Sequence, residues 1–214
     1  MPYFAQVLAL VLKHFQSESA RRRCRLFVRK DRQVEGWFKG ELMVVFDQAK
    51  GEGILSSWEP EVSYDHGTTR LKCDFAIVPT EDPGWIIGVE VKTACLGMQH
   101  KRTLEAMAHH DDFEQTGPWR LKDVITGGAG RKGGLVRDAD KLQNSQILRE
   151  KVCLLFAYGK QDDFADLAGF FGQVQSKFSQ YLADAGEPTR VVEPDPAPID
   201  LEDGTRLQVL AYHV

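Results

Sequence analysis

The chain reads as one α/β domain, and three observations carry that reading. Apolar residues recur at helical spacing in two early segments: Phe4, Val7, Leu8, Val11, Leu12 and Phe15, then Trp37, Phe38, Leu42, Val45 and Phe46. Two strand-like runs, 71–78 and 85–93, flank Thr80-Glu81-Asp82-Pro83-Gly84, a cluster of turn formers, and together make a hairpin. A third run, Val152 to Tyr158, is continuously apolar like a buried strand and leads into a further helical pattern.

In chain order, residues 3–15 form an amphipathic helix rather than the unbroken apolar core of a signal peptide. Arg21, Arg22, Arg23, Arg25, Arg29, Lys30 and Arg32 follow, around Leu26-Phe27-Val28, which suits a short strand or a helix equally. So dense a run of arginine points to phosphate contact, with Arg22 and Arg25 as candidates, against the plainer reading of a solvated face. Residues 34–48 form the next helix, closed by Gly51 and Gly53, and 54–64 contain an extended piece.

After the hairpin the pattern weakens over 96–134. Gly127, Gly128, Gly130, Gly133 and Gly134 surround Arg131 and Lys132 without the Gly-Lys-Ser/Thr of a phosphate-binding P-loop. This insertion reads as a surface loop, or as one that closes on a nucleic-acid backbone through Arg131 and Lys132. Residues 135–150 are helical, 152–158 a strand. The helix after it carries Phe164, Leu167, Phe171, Val174, Phe178 and Tyr181, a stripe for packing on the sheet or for a dimer seam. Residues 187–200 connect to a last strand, Arg206 to Val214, placed at a sheet edge. The organisation is thus a single domain over 1–214: a helix and basic segment in 1–33, a core over 34–158, the insertion within it, and a helix and strand in 159–214.

Composition narrows the classes. Hydrophobic residues at 43% and charged residues at 27% describe a folded globular chain. The net charge of −4 means that any polyanion must be met by local basic patches. The four cysteines, at 24, 73, 95 and 153, form no CxxC pair, which fits a reducing, cytoplasmic setting. His109-His110-Asp111-Asp112 reads as a solvated polar stretch. No apolar run is long enough for a membrane helix.

Chemistry concentrates in the hairpin. A turn centred on Asp82 sets position 74 opposite position 90, so Asp74 and Glu90 are cross-strand neighbours whose Cβ atoms lie about 5 Å apart on one face. Lys92, two residues on, projects from the same face, while Phe75, Ile77, Val89 and Val91 point into a core. Like charges so placed destabilise a sheet unless a cation lies between them. Mg²⁺ suits, because it accepts one or two carboxylates and keeps its waters.

Leu71-Lys72-Cys73-Asp74-Phe75-Ala76-Ile77-Val78 and Gly88-Val89-Glu90-Val91-Lys92-Thr93 resemble the signature of the PD-(D/E)xK nuclease superfamily. The proline that names the motif is absent, and Cys73 stands before the aspartate. The resemblance implies a restriction-endonuclease-like core: a central mixed β-sheet flanked by helices in the order αβββαβ, followed here by a C-terminal helix and strand. It implies that Asp74 and Glu90 bind Mg²⁺, for which Mn²⁺ substitutes, with the Val91 carbonyl as a further ligand and Lys92 assisting the attacking water. It also implies a metal-directed glutamate on the preceding helix, for which Glu41 is the candidate ahead of Glu61 and Glu35. The helix after the third strand is expected to supply a basic or amide side chain, which makes Lys141 a candidate phosphate contact.

The function expected is therefore metal-dependent phosphodiester hydrolysis, with DNA as substrate in a restriction or defence setting. A catalytically inactive nucleic-acid-binding or scaffold protein on the same fold is the alternative. A homodimer, or a partner protein that directs the cut, fits either reading.

Overall fold

The structure, a computed structural model, describes residues 3–30, 34–66, 69–96, 135–160, 190–191, 198–201 and 204–214. The expected insertion, with Arg131 and Lys132, and the helix expected after residue 160 lie outside these residues.

Three helices come first: α1 (Phe4–Gln16), α2 (Glu18–Lys30) and α3 (Val34–Gly51). Strands β1 (Leu55–His66), β2 (Thr69–Pro79) and β3 (Ile87–Leu96) follow, then helix α4 (Leu135–Gln143) and strand β4 (Glu150–Lys160). Two short strands, β5 (Arg190–Val191) and β6 (Ile199–Asp200), precede the last strand, β7 (Thr205–His213). From α3 to β4 the described elements run in the expected order αβββαβ. The segment around Leu26 is helical, because Ala20, Cys24 and Val28 repeat at four-residue spacing and are all buried. Ser17 starts that helix: its Oγ accepts the Ala20 N–H at 3.3 Å, a side-chain cap for an otherwise unpaired donor.

The strands form one mixed sheet in the order β1-β2-β3-β4-β7-β5, with β6 also paired to β7. β3 and β4 are parallel, and every other pairing is antiparallel. Pro60, which has no N–H to give a ladder, lies in β1, an outer strand where proline is tolerated. β7 differs from expectation. It pairs with β4 along one side and with β5 and β6 along the other, so it is internal to the sheet. Its run of buried residues on both faces is the pattern of an interior strand. The helix expected over 135–150 stops at Gln143, where Ser145 N–H bonds to the Leu142 carbonyl and the chain turns into β4.

The core lies between the sheet and helices α1 and α3. Phe75, Ile77, Val89, Val91, Val152, Leu154 and Phe156 meet Phe4, Leu8, Phe15, Phe38, Leu42 and Phe46 there, all at most 2% exposed. The opposite face of β2 and β3 is covered by α4 and the segment that follows it, close enough that a Cβ on Gly88 would collide with Leu148 and lie 3.2 Å from Leu142 Cδ2. Among the described residues no helix is long and apolar enough to cross a membrane.

Candidate active site

The turn between β2 and β3 fixes everything that follows. Asp82 Oδ1 accepts the Gly84 N–H and its carbonyl accepts the Trp85 N–H, a tight reversal built on aspartate. From there the ladder runs Ile77↔Ile87, Ala76↔Gly88 and Phe75↔Val89. The next step in that register is Asp74 with Glu90, as the turn-based reading expects. The regular pairing ends before it. Instead, Asp74 Oδ2 accepts the Val91 N–H at 2.8 Å, so the aspartate side chain takes the place of a backbone acceptor. On its other side Asp74 faces Glu61, which interrupts the β1 pairing between Pro60↔Phe75 and Val62↔Cys73 with φ at 49°. A non-glycine residue in that region stores backbone strain, a feature that gathers at working sites.

Among the described residues, Lys39, Lys92 and Lys141 meet Glu35, Asp74, Glu90 and Asp138 around this opening. Lys39 of α3 donates to Asp74 Oδ1 at 2.8 Å and lies 2.9 Å from Glu35, one turn earlier on its own helix. Lys141 of α4 has its ammonium 2.5 Å from Glu90 Oε1 and 3.5 Å from Asp138 Oδ1. Lys92 of β3 lies 3.1 Å from Asp138 Oδ2. Tyr64 of β1 donates its hydroxyl to the Lys141 carbonyl, tying the end of α4 to the sheet.

The electrostatics follow from burial. Glu90 is 2% exposed. That burial, with the Asp74 charge beside it and Asp138 beyond, pushes its carboxyl up to about 8 against the pull of Lys141. Lys92 is the reverse case. Burial alone would lower its pKa, but Asp138, Glu35 and Glu90 outweigh that and hold it above its ordinary value. It is therefore a persistent cation at neutral pH. Lys39 is raised in the same way by Asp74 and Glu35. Glu90 Oε1 and Asp138 Oδ2 are both buried, and their close lysine contacts lack hydrogen-bond geometry. Two oxygens so placed are acceptors in want of a better partner.

Asp74, Glu90 and Lys92 thus come together, and so does Lys141, which meets Glu90 directly. Glu41 does not join them. Its two oxygens are taken by Arg23, through a bidentate pair at 2.7 Å each, and by His14 Nε2 at 2.6 Å. The flank of α3 that carries Glu41 faces α1 and α2, while the flank with Glu35 and Lys39 faces the strands. The expected metal-shell role for Glu41 does not match this arrangement; among the described residues, the side chain of α3 that reaches Asp74 is Lys39. Arg22 is exposed on α2 and Arg25 is half-buried there. Lys39 and Asp138 had no separate signal in the sequence beyond their spacing: Glu35 with Lys39, and Asp138 with Lys141, share a helix face.

As for a metal, among the described residues no group of three or more His, Cys, Asp or Glu side chains is set to hold one. Asp74 and Glu90 nonetheless suit a hard cation that takes two carboxylates and fills its remaining positions with water, substrate oxygens or a backbone carbonyl such as that of Val91. Glu90 Oε1, buried and met by the Lys141 ammonium at 2.5 Å without hydrogen-bond geometry, is the oxygen such a cation would take over. Lys39 and Lys141 now occupy the acids' free oxygens and would have to withdraw. Comparison with known proteins adds no relative: no family model, curated protein or solved structure matches the chain.

Proposed function

We propose that the chain is a metal-dependent nuclease of the PD-(D/E)xK type, acting on DNA. One observation carries the reading. Two carboxylates on adjacent strands, Asp74 and Glu90, share a strand opening with Lys92 and are close enough that the charge of Asp74 raises the pKa of Glu90. A fold gains no stability from such a pair, and a divalent cation relieves it.

In this reading Asp74 and Glu90 would hold Mg²⁺, which would supply water activation and charge neutralisation at the scissile phosphate. The residues of the chain do the rest. Lys92, kept protonated, donates to the phosphoryl oxygens as negative charge builds on them, and Asp138 holds its ammonium in place. Water gives up a proton as its oxygen bonds to phosphorus, the bond from phosphorus to the leaving deoxyribose oxygen breaks, and that oxygen takes up a proton from the solvent. Lys39 and Lys141, displaced from the carboxylates, are left beside the substrate backbone as cations.

A second reading has its own support. The lysines already neutralise the acids pairwise, as in a fold that has kept the site's shape without catalysis. Plasmid cleavage and calorimetry separate the two. The nuclease reading expects nicking or linearisation with Mg²⁺ or Mn²⁺ that falls at least about 100-fold in Asp74→Ala and Lys92→Ala. It expects a Mn²⁺ binding heat that disappears in Glu90→Gln. Undiminished cleavage in both alanine variants, or no Mn²⁺ heat in the parent protein, overturns it.

A further inference from the structure

A second surface lies on the far flank of α3 from Asp74. Helix α2 carries Arg21, Arg22, Arg23, Arg25, Arg29 and Lys30 against a single acid, Glu18, within a chain whose net charge is negative. Its inner side, Ala20, Cys24 and Val28, is buried. Its outer side exposes Arg22, Arg23, Leu26 and Phe27, with Leu26 54% and Phe27 39% open.

Phe27 is not a loose surface ring. It lies flat on Trp37, with centroids 5.1 Å apart and planes within 19°. Trp37 is in turn held edge-on by Phe15 and Phe38 of the core. One turn before Phe27, the Arg23 guanidinium is locked to Glu41 by two bonds while remaining 44% exposed. An anchored aromatic face and a fixed cation therefore stand side by side on one helix.

We infer that this face is a docking platform for single-stranded nucleic acid, where an unpaired base extends the Trp37–Phe27 stack and the α2 arginines take its phosphates. Charge complementarity selects a polyanion, and the flat ring selects one whose bases are free to stack, since a duplex keeps its bases inside. An anionic membrane fits less well. The apolar side of α2 is used up against the protein, which leaves Leu26 and Phe27 alone to enter a bilayer.

The nuclease reading gives the platform its purpose, and this inference rests on that reading only for the path between the two sites. Between the Trp37 and Lys39 flanks, α3 exposes Gly36 and Gly40, where an added Cβ would meet nothing within 4 Å. Glycine weakens a helix, and no contact among the described residues asks for it here. A strand leaving Phe27 for Asp74 crosses bare backbone at this place.

Fluorescence anisotropy of the full chain in EDTA, with labelled oligo-dT, oligo-U and a blunt duplex, tests this without any cleavage. The parent protein should prefer a single strand over the duplex, the dT and U arms telling whether that strand is DNA or RNA. Phe27→Leu keeps the apolar contact with Trp37 but has no π-face. It should weaken single-strand binding roughly tenfold, the worth of one stacked base, while Phe27→Trp retains it and duplex affinity stays unchanged. Arg22→Gln should weaken both ligands and flatten the salt dependence. Parent-like binding by Phe27→Leu, a preference for duplex, or a Phe27 effect seen only on phosphatidylglycerol vesicles overturns the inference. A protein that binds oligo-dT through Phe27 yet cuts neither plasmid nor oligo-dT with Mn²⁺ would refute the nuclease reading and leave the platform standing.

Discussion

Glu41 shows how a single buried charge is settled by its partners. Burial alone would raise its pKa, but two bonds from Arg23 and one from His14 hold the carboxyl at about 2. A carboxyl depressed on folding contributes stability that is fully present above its ordinary value of 4.5 and is lost as pH falls through the folded value. The protein should therefore lose part of its stability between about pH 4.5 and 2. Arg23→Ala leaves Glu41 buried with His14 as its remaining partner among the described residues, and should cost about 2–3 kcal/mol at pH 7, since Arg23 is part-exposed. The gap between parent and variant should narrow as pH falls toward 2, where Glu41 begins to be protonated in the parent as well. Urea midpoints at pH 7 and at pH 2.5 measure it, and an equal gap at the two pH values would refute the assignment. None of this could be read from the sequence, in which Glu41 and Arg23 are simply two charges eighteen residues apart.

At the scale of elements, legibility divided along physical lines. The hairpin register was readable, because a tight turn at Asp82 and alternating apolar residues leave a strand no freedom to slip by one. So were helices α1 and α3, whose stripes face the core. The rotation of α3 and α4 about their own axes was not, and that rotation decides whether Glu41 or Lys39, and whether Asp138 or its neighbour, reaches the strands. For α4 the setting comes from Gly88. Its bare Cα lets Leu142 and Leu148 sit on the sheet, which aims Asp138 and Lys141 at Lys92 and Glu90. Gly88→Ala forces Leu148 aside in a packed layer, so about 1–3 kcal/mol should be lost and α4 should shift. Thermal melting and Mn²⁺ calorimetry together test this: a lower melting point accompanied by weaker metal binding. Parent-like values for both would show that α4 is placed by something else. The internal position of β7 was available in principle, from apolar residues on both of its faces rather than on one.

Across the whole molecule, the sheet separates what stabilises the chain from what it is proposed to do. On one face, Phe156 of β4 stacks on Phe38 of α3 with centroids 4.3 Å apart and meets Phe15 of α1 edge-on at 5.2 Å, all of them fully buried. These rings join the first helices of the chain to a strand more than a hundred residues later, a contact that only the folded topology supplies. Most of the charged cluster lies at the opening of β2 and β3 and under α4, on the other side of β3 from those rings, with Glu35 and Lys39 reaching it from the edge of α3. Phe156→Ala should therefore cost about 3–5 kcal/mol of a total near 5–15, which for a chain of this size lowers the melting temperature by roughly 6–20 °C. Well below that temperature, the Mn²⁺ affinity of each folded molecule should match the parent's, because neither Asp74 nor Glu90 leans on the removed ring. Calorimetric melting, followed by metal titration of the folded fraction at low temperature, separates the two effects. A variant that melts normally but binds metal poorly would mean that core and site are coupled through β4, and that the sheet transmits strain rather than insulating one face from the other.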